Sequence, residues 1–416
     1  MRMFKKVAVL LSLLLALPTS PSFASELPSV FAFSGAGYGH GVGMSQIGAR
    51  AKALLGESAT SILNYYYSGT VVETATDTQT VRINVGHLLT SAKFRSDTKG
   101  SALELLAGDI VETGTVPILF SLPAKAVITV SMNGSVISVS TTIDKKTSLV
   151  ALGKSFTLRW SGTRYLDGVP SVLTMTQGVQ AVKYRHGQMQ IKVVKSKAHG
   201  DRMEITNSLR LGDEYLWGVS EVPSSWPAAA LQAQAIASRT YALVRAAAIK
   251  SACDCNLYGS ISDQTFAGYS KESEAKYGVL WKSAVTSTAG QVITYLGSPI
   301  SAYFSSSTGG VTETSKNAWG TATGYTLSVS DTASADIKFN PRFASWQRSL
   351  SQQVIASAFL LPDVASLKVI AINATGTVAQ IQATSLLGKS VTLRGETFRS
   401  RTKLPSAWFT VNEELS

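Results

Sequence analysis

"EVPSSWPAAALQAQAIASRTYAL", residues 221–243, carries one carboxylate, a Pro-Ser-Ser-Trp-Pro turn, and then no charge until Arg239. Pro227 suits the first turn of a helix, where its missing N–H is no loss. From Pro227 to Leu243 the Ala, Leu and Ile residues fall on every side at helical spacing, which predicts a helix enclosed by the rest of its domain. Polar groups on such a helix need partners. For Gln232 and Ser238 the expectation is core hydrogen bonding. A buried Arg239 guanidinium calls for a carboxylate, either Glu221 or an anionic ligand. Glu221 itself, at the helix mouth, is either a charge favoured by the helix dipole or a chemical group held at the rim.

Outward from this helix, the chain of 416 residues begins "MRMFKKVAVLLSLLLALPTSPSFASELPS". A basic start, an apolar run from Val7 to Leu17 and a small-residue exit read as a secretory signal peptide over residues 1–24. The run is shorter than the about 20 residues a membrane span needs. No later run reaches that length, so no span is expected in the mature chain. Removal of Arg2, Lys5 and Lys6 takes the formal net charge from +12 to 12 − 3 = +9. A basic exported protein favours anionic polymers such as cell-wall glycans. Nucleic acid is not expected as a partner, because no basic helix, metal-finger spacing or aromatic RNA-binding motif is present. Cys253 and Cys255 are separated by one residue, and no His lies beside them. A small strained disulfide or two free thiols is expected over a metal site, which needs about four ligands. No metal and no cofactor are expected.

The fold class read from the chain is α+β, a mixed helical and β core with an additional β-rich domain. Residues 25–72 hold "SGAGYGHGVGMSQIGA", whose alternating glycines imply unusual dihedrals or close backbone approach. Ser45 can cap a helix to about Leu55, and Thr60 a second one ending near Tyr65 to Tyr67. Neither a Gly-Lys-Ser/Thr nor a Rossmann spacing follows, so nucleotide binding is rejected. Residues 73–200 read as short β-branched runs, with Asn133-Gly134 as a hairpin turn. Residues 201–416 read as the core that carries the opening helix. Asp213 and Glu214 are expected as solvated loop charges, with a helix near Ser273–Thr288, strands at 291–295 and 299–304, and a hydroxyl-rich loop from Ser305 to Gly310. A helix at "SQQVIASAFL" and several strands complete the tail.

The stretches "EYLWGVSEVPSSWPAAALQAQAIASRTYAL", "DQTFAG", "TAGQVITYLGSPISAYFSSSTGG", "GYGHGVGMSQIGA…ILNYYYSGT" and "FRSRTKLPSAWFTV" resemble the sporulation protein D/amidase-enhancer (SpoIID/LytB) family of bacterial cell walls. The resemblance covers most of the chain except the β-rich middle. It implies either a lytic transglycosylase that cuts the MurNAc–GlcNAc bonds of peptide-stripped peptidoglycan glycan strands, or a non-enzymatic wall-binding enhancer of an N-acetylmuramoyl-L-alanine amidase. In the first case Glu221, which matches the Glu of the family's Ser-Glu-x-Pro motif, is the catalytic acid. The family usually has a His near its cysteines where zinc is bound, whereas Asn256 follows Cys255 here. Glycan strands are the implied partner, with a cell-wall amidase as a second one, and the implied location is the cell wall or the extracellular space.

One carboxylate is enough for that chemistry. Most glycosidases use two, but the sugar's own C6 hydroxyl can act as nucleophile, so one Glu serves first as acid and then as base. Such a Glu needs a raised pKa, which partial burial provides. Arg239, Gln264, Tyr303, Ser306 and Ser307 are the expected substrate contacts. His40 either lines the same groove or bonds the backbone. In many relatives the Gly-His-Gly-Val-Gly-Met-Ser-Gln segment follows the C-terminal strands. Its position at the start of this chain predicts a circular permutation, with the strand near Phe31–Ser34 beside the one near Phe409–Val411. The alternative is a tethered module with "VVETATDTQT" (71–80) as the linker.

Overall fold

Alanine, leucine and glutamine are good helix formers, and they build a 19-residue helix, Ala228–Ala246, entered through Pro227. We describe residues 27–112 and 116–412 of a computed structural model; the expected signal peptide lies outside the described residues. Twelve consecutive or near-consecutive positions of this central helix, from Ala230 to Ala242, are buried, and two hydrophobic cores meet it. On one side Leu231, Ala235, Tyr241 and Ala242 join a large core shared with the β-rich segment. On the other, Ala233, Ile236 and Ala237 pack with Met44, Ile62, Leu63, Tyr67 and Ile293. Small alanines let both layers approach closely, which explains a helix apolar all round.

The β-rich segment forms two sheets facing each other across the large core, antiparallel throughout except where Leu257–Tyr258 adds to Thr80–Leu89 in parallel. One has six strands, from Lys146–Gly153 at one edge to Gln180–Tyr184 at the other. The other has seven, running from Leu257–Tyr258 through Thr80–Leu89 and Gly200–Arg210 to Ile118–Pro123. The hairpin expected at Asn133-Gly134 is present: Asn133 pairs with Val136, and Gly134 takes the positive φ of 61° that the turn requires. The sheet continues across residue 200, because Gly200–Arg210 pairs along its length with Gln188–Ser196. Sheet and central helix therefore share one interior.

The N-terminal strand Val30–Gly35 lies between Trp346–Ser351 and Phe409–Asn412 in a three-stranded sheet, with Ser34 opposite Thr410. The strand adjacency read from the sequence is thus found. Nor does 71–80 act as a tether: Val71–Thr74 pairs with Gln291–Tyr295, and Asp77 is bonded to Arg239. A third core, around Phe33, Phe359, Phe398 and Phe409, holds this C-terminal lobe together.

Several local readings shift. The first helix spans Gln46–Leu54, with Ser45 as its cap, but the second is capped by Ser58 rather than Thr60 and runs Ala59–Tyr66. In place of one helix near Ser273–Thr288 there are two, Tyr269–Glu272 and Gly278–Ser287. The chain doubles back so tightly between them that a Cβ on Gly278 would lie 2.3 Å from the Glu272 carbonyl oxygen. The expected strand 299–304 is two short pieces, Ser298–Pro299 and Phe304–Ser305. Asp213 and Glu214 are not free loop charges: both lie in a π-helical turn, Leu211–Tyr215, and each has a fixed partner. Glu214 is buried and accepts the Arg210 amide proton at 2.8 Å, while Asp213 is clasped by the Arg210 guanidinium.

Candidate active site

Glu221 sits in a turn clamped from both sides. The Ser220 N–H donates to the Thr265 carbonyl at 2.8 Å, and the Trp226 N–H closes the turn onto Pro223 at 3.2 Å. Ser224 donates its hydroxyl to Glu274 at 2.7 Å. The Thr265 N–H returns the grip by donating to Glu221 Oε1 at 2.5 Å. Burial pushes the Glu221 carboxyl above its ordinary range, against the Thr265 N–H and hydroxyl, the Gln46 amide and the more distant Lys271 ammonium. Lys271 is itself buried, and its Nζ donates to the Val222 carbonyl at 2.6 Å. A carboxyl whose pKa is raised by burial and that fixed donors hold in place is the kind of group that can deliver a proton.

Gln46, Thr265 and Lys271 were missed as site residues. Gln46 is the first residue of its helix, is buried, and its amide donates to Gln234 Oε1 on the central helix at 3.2 Å. A buried Gln inside "GVGMSQIGA" was the available signal. Thr265 lies in the "DQTFAG" stretch, but it acts through its backbone N–H, which residue type does not mark, and nothing local marks Lys271.

The glycine-rich segment brings its helix to this place. Gly43 has a φ of 74°, and a Cβ there would lie 2.1 Å from the Tyr303 carbonyl oxygen. That oxygen also accepts from the Met44 N–H at 3.1 Å and the Tyr67 hydroxyl at 2.7 Å. Tyr303 is therefore fixed by its backbone while its ring joins an aromatic group. The Trp319 ring lies 4.7 Å away, Tyr241 6.4 Å and His40 6.3 Å, centroid to centroid. Trp319 is 40% exposed. The His40 Nδ1 accepts the Val42 N–H at 3.0 Å, and its other nitrogen is directed at the Phe304 carbonyl. Burial, helped by the Arg399 charge, brings its pKa down to about 3. His40 is thus a neutral ring whose Nδ1 is given to the Val42 amide and which meets Trp319 and Tyr303 in edge-to-face contacts.

The other expected contacts divide. Arg239 is a correction: its side chain is fully buried, and its Nε donates to Asp77 Oδ2 at 2.8 Å, not to Glu221. The remaining guanidinium nitrogens go to the Val285 and Gln291 carbonyls and the Thr288 hydroxyl, leaving none for a ligand. Gln264 is buried beside the site, accepting the Tyr215 hydroxyl proton at 2.6 Å, while its Nε2 makes no hydrogen bond among the described residues. Ser307 is buried and paired through its backbone with Tyr38. Ser306 is half-buried and accepts the Ile47 N–H at 3.0 Å through its carbonyl.

Cys253 and Cys255 are joined as a disulfide, with Cα atoms 5.2 Å apart. Asp254 between them faces Arg82 and Lys192. The Asn256 side chain is spent on the Arg82 N–H and the Ala246 and Ala248 carbonyls. Oxidised sulfurs, two cations and an amide already in use do not fit a zinc ion. Among the described residues no group of three or more His, Cys, Asp or Glu side chains gathers to hold a metal.

Comparison with known proteins places a match to the family model "SpoIID: Stage II sporulation protein" over residues 199–295. The chain is 34% identical over 134 residues to the amidase enhancer of Bacillus subtilis (strain 168), covering 32% of this chain and 16% of that protein. It is 32% identical over 215 residues to stage II sporulation protein D of the same organism, covering 47% of this chain and 59% of that protein. Against stage II sporulation protein D of Bacillus amyloliquefaciens it is 30% identical over 219 residues, with the same coverage of 47% and 59%. The chain thus spans less than two thirds of the length of each of these relatives.

Proposed function

We propose that this chain, which matches the SpoIID family model over residues 199–295 and is similar to stage II sporulation protein D and amidase-enhancer proteins, is an exported, wall-associated lytic transglycosylase acting on peptide-stripped peptidoglycan glycan strands. The observation that carries the reading is Glu221, a single mostly buried carboxyl whose pKa is raised by burial and which fixed donors hold at a loop. The other carboxylates on the neighbouring loops are already engaged: Asp263 by Tyr241 and Lys250, Glu274 by Ser224. A mechanism needing one carboxylate suits this arrangement better than one needing two.

Glu221 would protonate the leaving glycosidic oxygen as the C1–O bond breaks. The carboxylate so formed then takes the proton of the C6 hydroxyl as that oxygen attacks C1. The products are a 1,6-anhydro end and a new free hydroxyl end, no water is consumed, and Glu221 is again protonated. Thr265 and Gln46 hold the carboxyl in place through both steps.

The test is incubation of the pure protein with peptide-free glycan strands, followed by mass spectrometry for 1,6-anhydro ends. Their appearance supports the reading, and their absence from every glycan form sinks it. A second reading, a non-enzymatic wall-binding enhancer of an amidase, is favoured by the likeness to a protein named amidase enhancer over 134 residues. It predicts stimulation of an added amidase that survives the replacement of Glu221.

A further inference from the structure

We propose that Arg245 binds the carboxylate of an acidic sugar and so selects glycan whose lactyl carboxylates are free; this rests on the glycan-cleaving reading above. Gln234, Ser238, Tyr241 and Arg245 recur at spacings of four, three and four along the central helix, which places them on one stripe. Gln234 holds Gln46 beside Glu221. Arg245 lies eleven residues further on, about 16 Å at the rise of an α-helix, and so more than one sugar ring away from the acid.

The Arg245 guanidinium lies 4.8 Å from the centroid of the Tyr241 ring, with the Tyr241 and Tyr303 hydroxyls as its polar neighbours. These partners are neutral, and among the described residues Arg245 makes no ion pair. Asp263, the carboxylate on the Tyr241 hydroxyl, already receives the Lys250 ammonium and the Tyr258 N–H. Other guanidiniums of this chain are matched differently: Arg239 by Asp77, Arg82 by Asp254, Arg210 by Asp213 and Arg399 by Glu396. A half-buried charge that has lost part of its hydration without gaining a counter-ion is unbalanced. A carboxylate meeting its planar fork restores the balance through short charge-assisted bonds.

Beside this cation stands the aromatic pair Tyr303–Trp319, with Trp319 exposed. Flat aromatic faces next to an unmatched guanidinium specify a ligand with an apolar ring face and a negative group, a carboxylate-bearing sugar. In a peptidoglycan strand the lactyl carboxylate is tied up as a neutral amide while the stem peptide is attached. Removing the peptide exposes the charge.

The experiment uses the Glu221→Gln protein, so that strands stay whole, and isothermal titration with two ligands: peptide-free glycan oligomers, and the same oligomers with the lactyl carboxylates amidated. The free-carboxylate form should bind about tenfold more tightly, as expected for a hydrogen-bonded charge. Adding Arg245→Gln should abolish that preference while leaving affinity for the amidated form within about twofold, and Arg245→Lys should restore part of it. Equal affinity for the two ligands in the parent overturns the proposal without relying on the fold of any Arg245 variant. Equal weakening of both ligands by Arg245→Gln also overturns it, leaving Arg245 as a support for Tyr241. If neither oligomer binds, this proposal and the glycan reading fall together. If the preference is found but the native protein leaves no 1,6-anhydro ends, the cleavage reading fails and the role of Arg245 stands.

Discussion

Replacing Glu221 with Gln separates the proton from the shape. The Gln carbonyl oxygen can still accept the Thr265 N–H, now at 2.5 Å. The other oxygen becomes an NH2, which cannot accept from the Gln46 amide that faces the carboxyl. The Thr265 hydroxyl can turn and accept instead. The loss is thus one hydrogen bond, about 1 kcal/mol. Against it works the burial that raises the Glu221 carboxyl above its ordinary value of 4.5. The unfolded chain releases this proton near pH 4.5, whereas the folded chain holds it to a higher pH. Across that window the unfolded state binds fewer protons, so stability falls as pH rises, by up to about 1.4 kcal/mol per pH unit. Gln does not titrate, so the variant escapes this loss. Urea unfolding from pH 4 to 8 should show the variant less stable than its parent near pH 4 and gaining on it as pH rises. Cleavage of peptide-free glycan should fall about 10²- to 10⁴-fold, the usual range for removing a general acid. A stability difference that stays flat, or moves against the variant with pH, refutes the buried-acid account. Cleavage at the wild-type rate refutes the assignment of the residue.

Three further outcomes are expected. The general acid must be protonated, so cleavage should decline as pH rises through the raised Glu221 pKa; Gln46→Leu removes a donor that opposes the rise, and the alkaline limb of the pH–rate profile should move to higher pH. Asp77→Ala leaves the fully buried Arg239 guanidinium without its counter-ion and should destabilise the fold by about 3–5 kcal/mol in urea unfolding; a change below about 1 kcal/mol would show the pair to be dispensable. His40 has a folded pKa of about 3 against an ordinary 6.5, so between these values the unfolded chain binds one more proton and stability drops as pH falls. His40→Gln should remove that slope, about 1.4 kcal/mol per pH unit, when urea midpoints at pH 7 and pH 5 are compared; an unchanged slope would mean that His40 titrates in the open.

The features legible in the chain rest on interactions that recur within a few residues. The Pro227 entry and the all-round apolar spacing specify the helix Ala228–Ala246, and Ser45 specifies the cap of Gln46–Leu54. Asn133-Gly134 specifies a hairpin because few residues tolerate its dihedrals. Glu221 stood out as the one carboxylate before a stretch with no other charge, and the α+β class follows from such local patterns. Tertiary structure alone decided which distant groups complete them. Arg239 needed a carboxylate, but the partner is Asp77, 162 residues away and not the nearby Glu221. Gln46 and Thr265 reach Glu221 from segments 175 residues before and 44 residues after it. Glu214, which looks like a loop charge, is buried because the turn that carries it folds back onto the Arg210 amide. Periodicity reports what a helix or strand repeats along the chain. Loops have no period, so the meeting of two loops, and with it the pKa of the acid between them, is set only when the cores on either side of the central helix close.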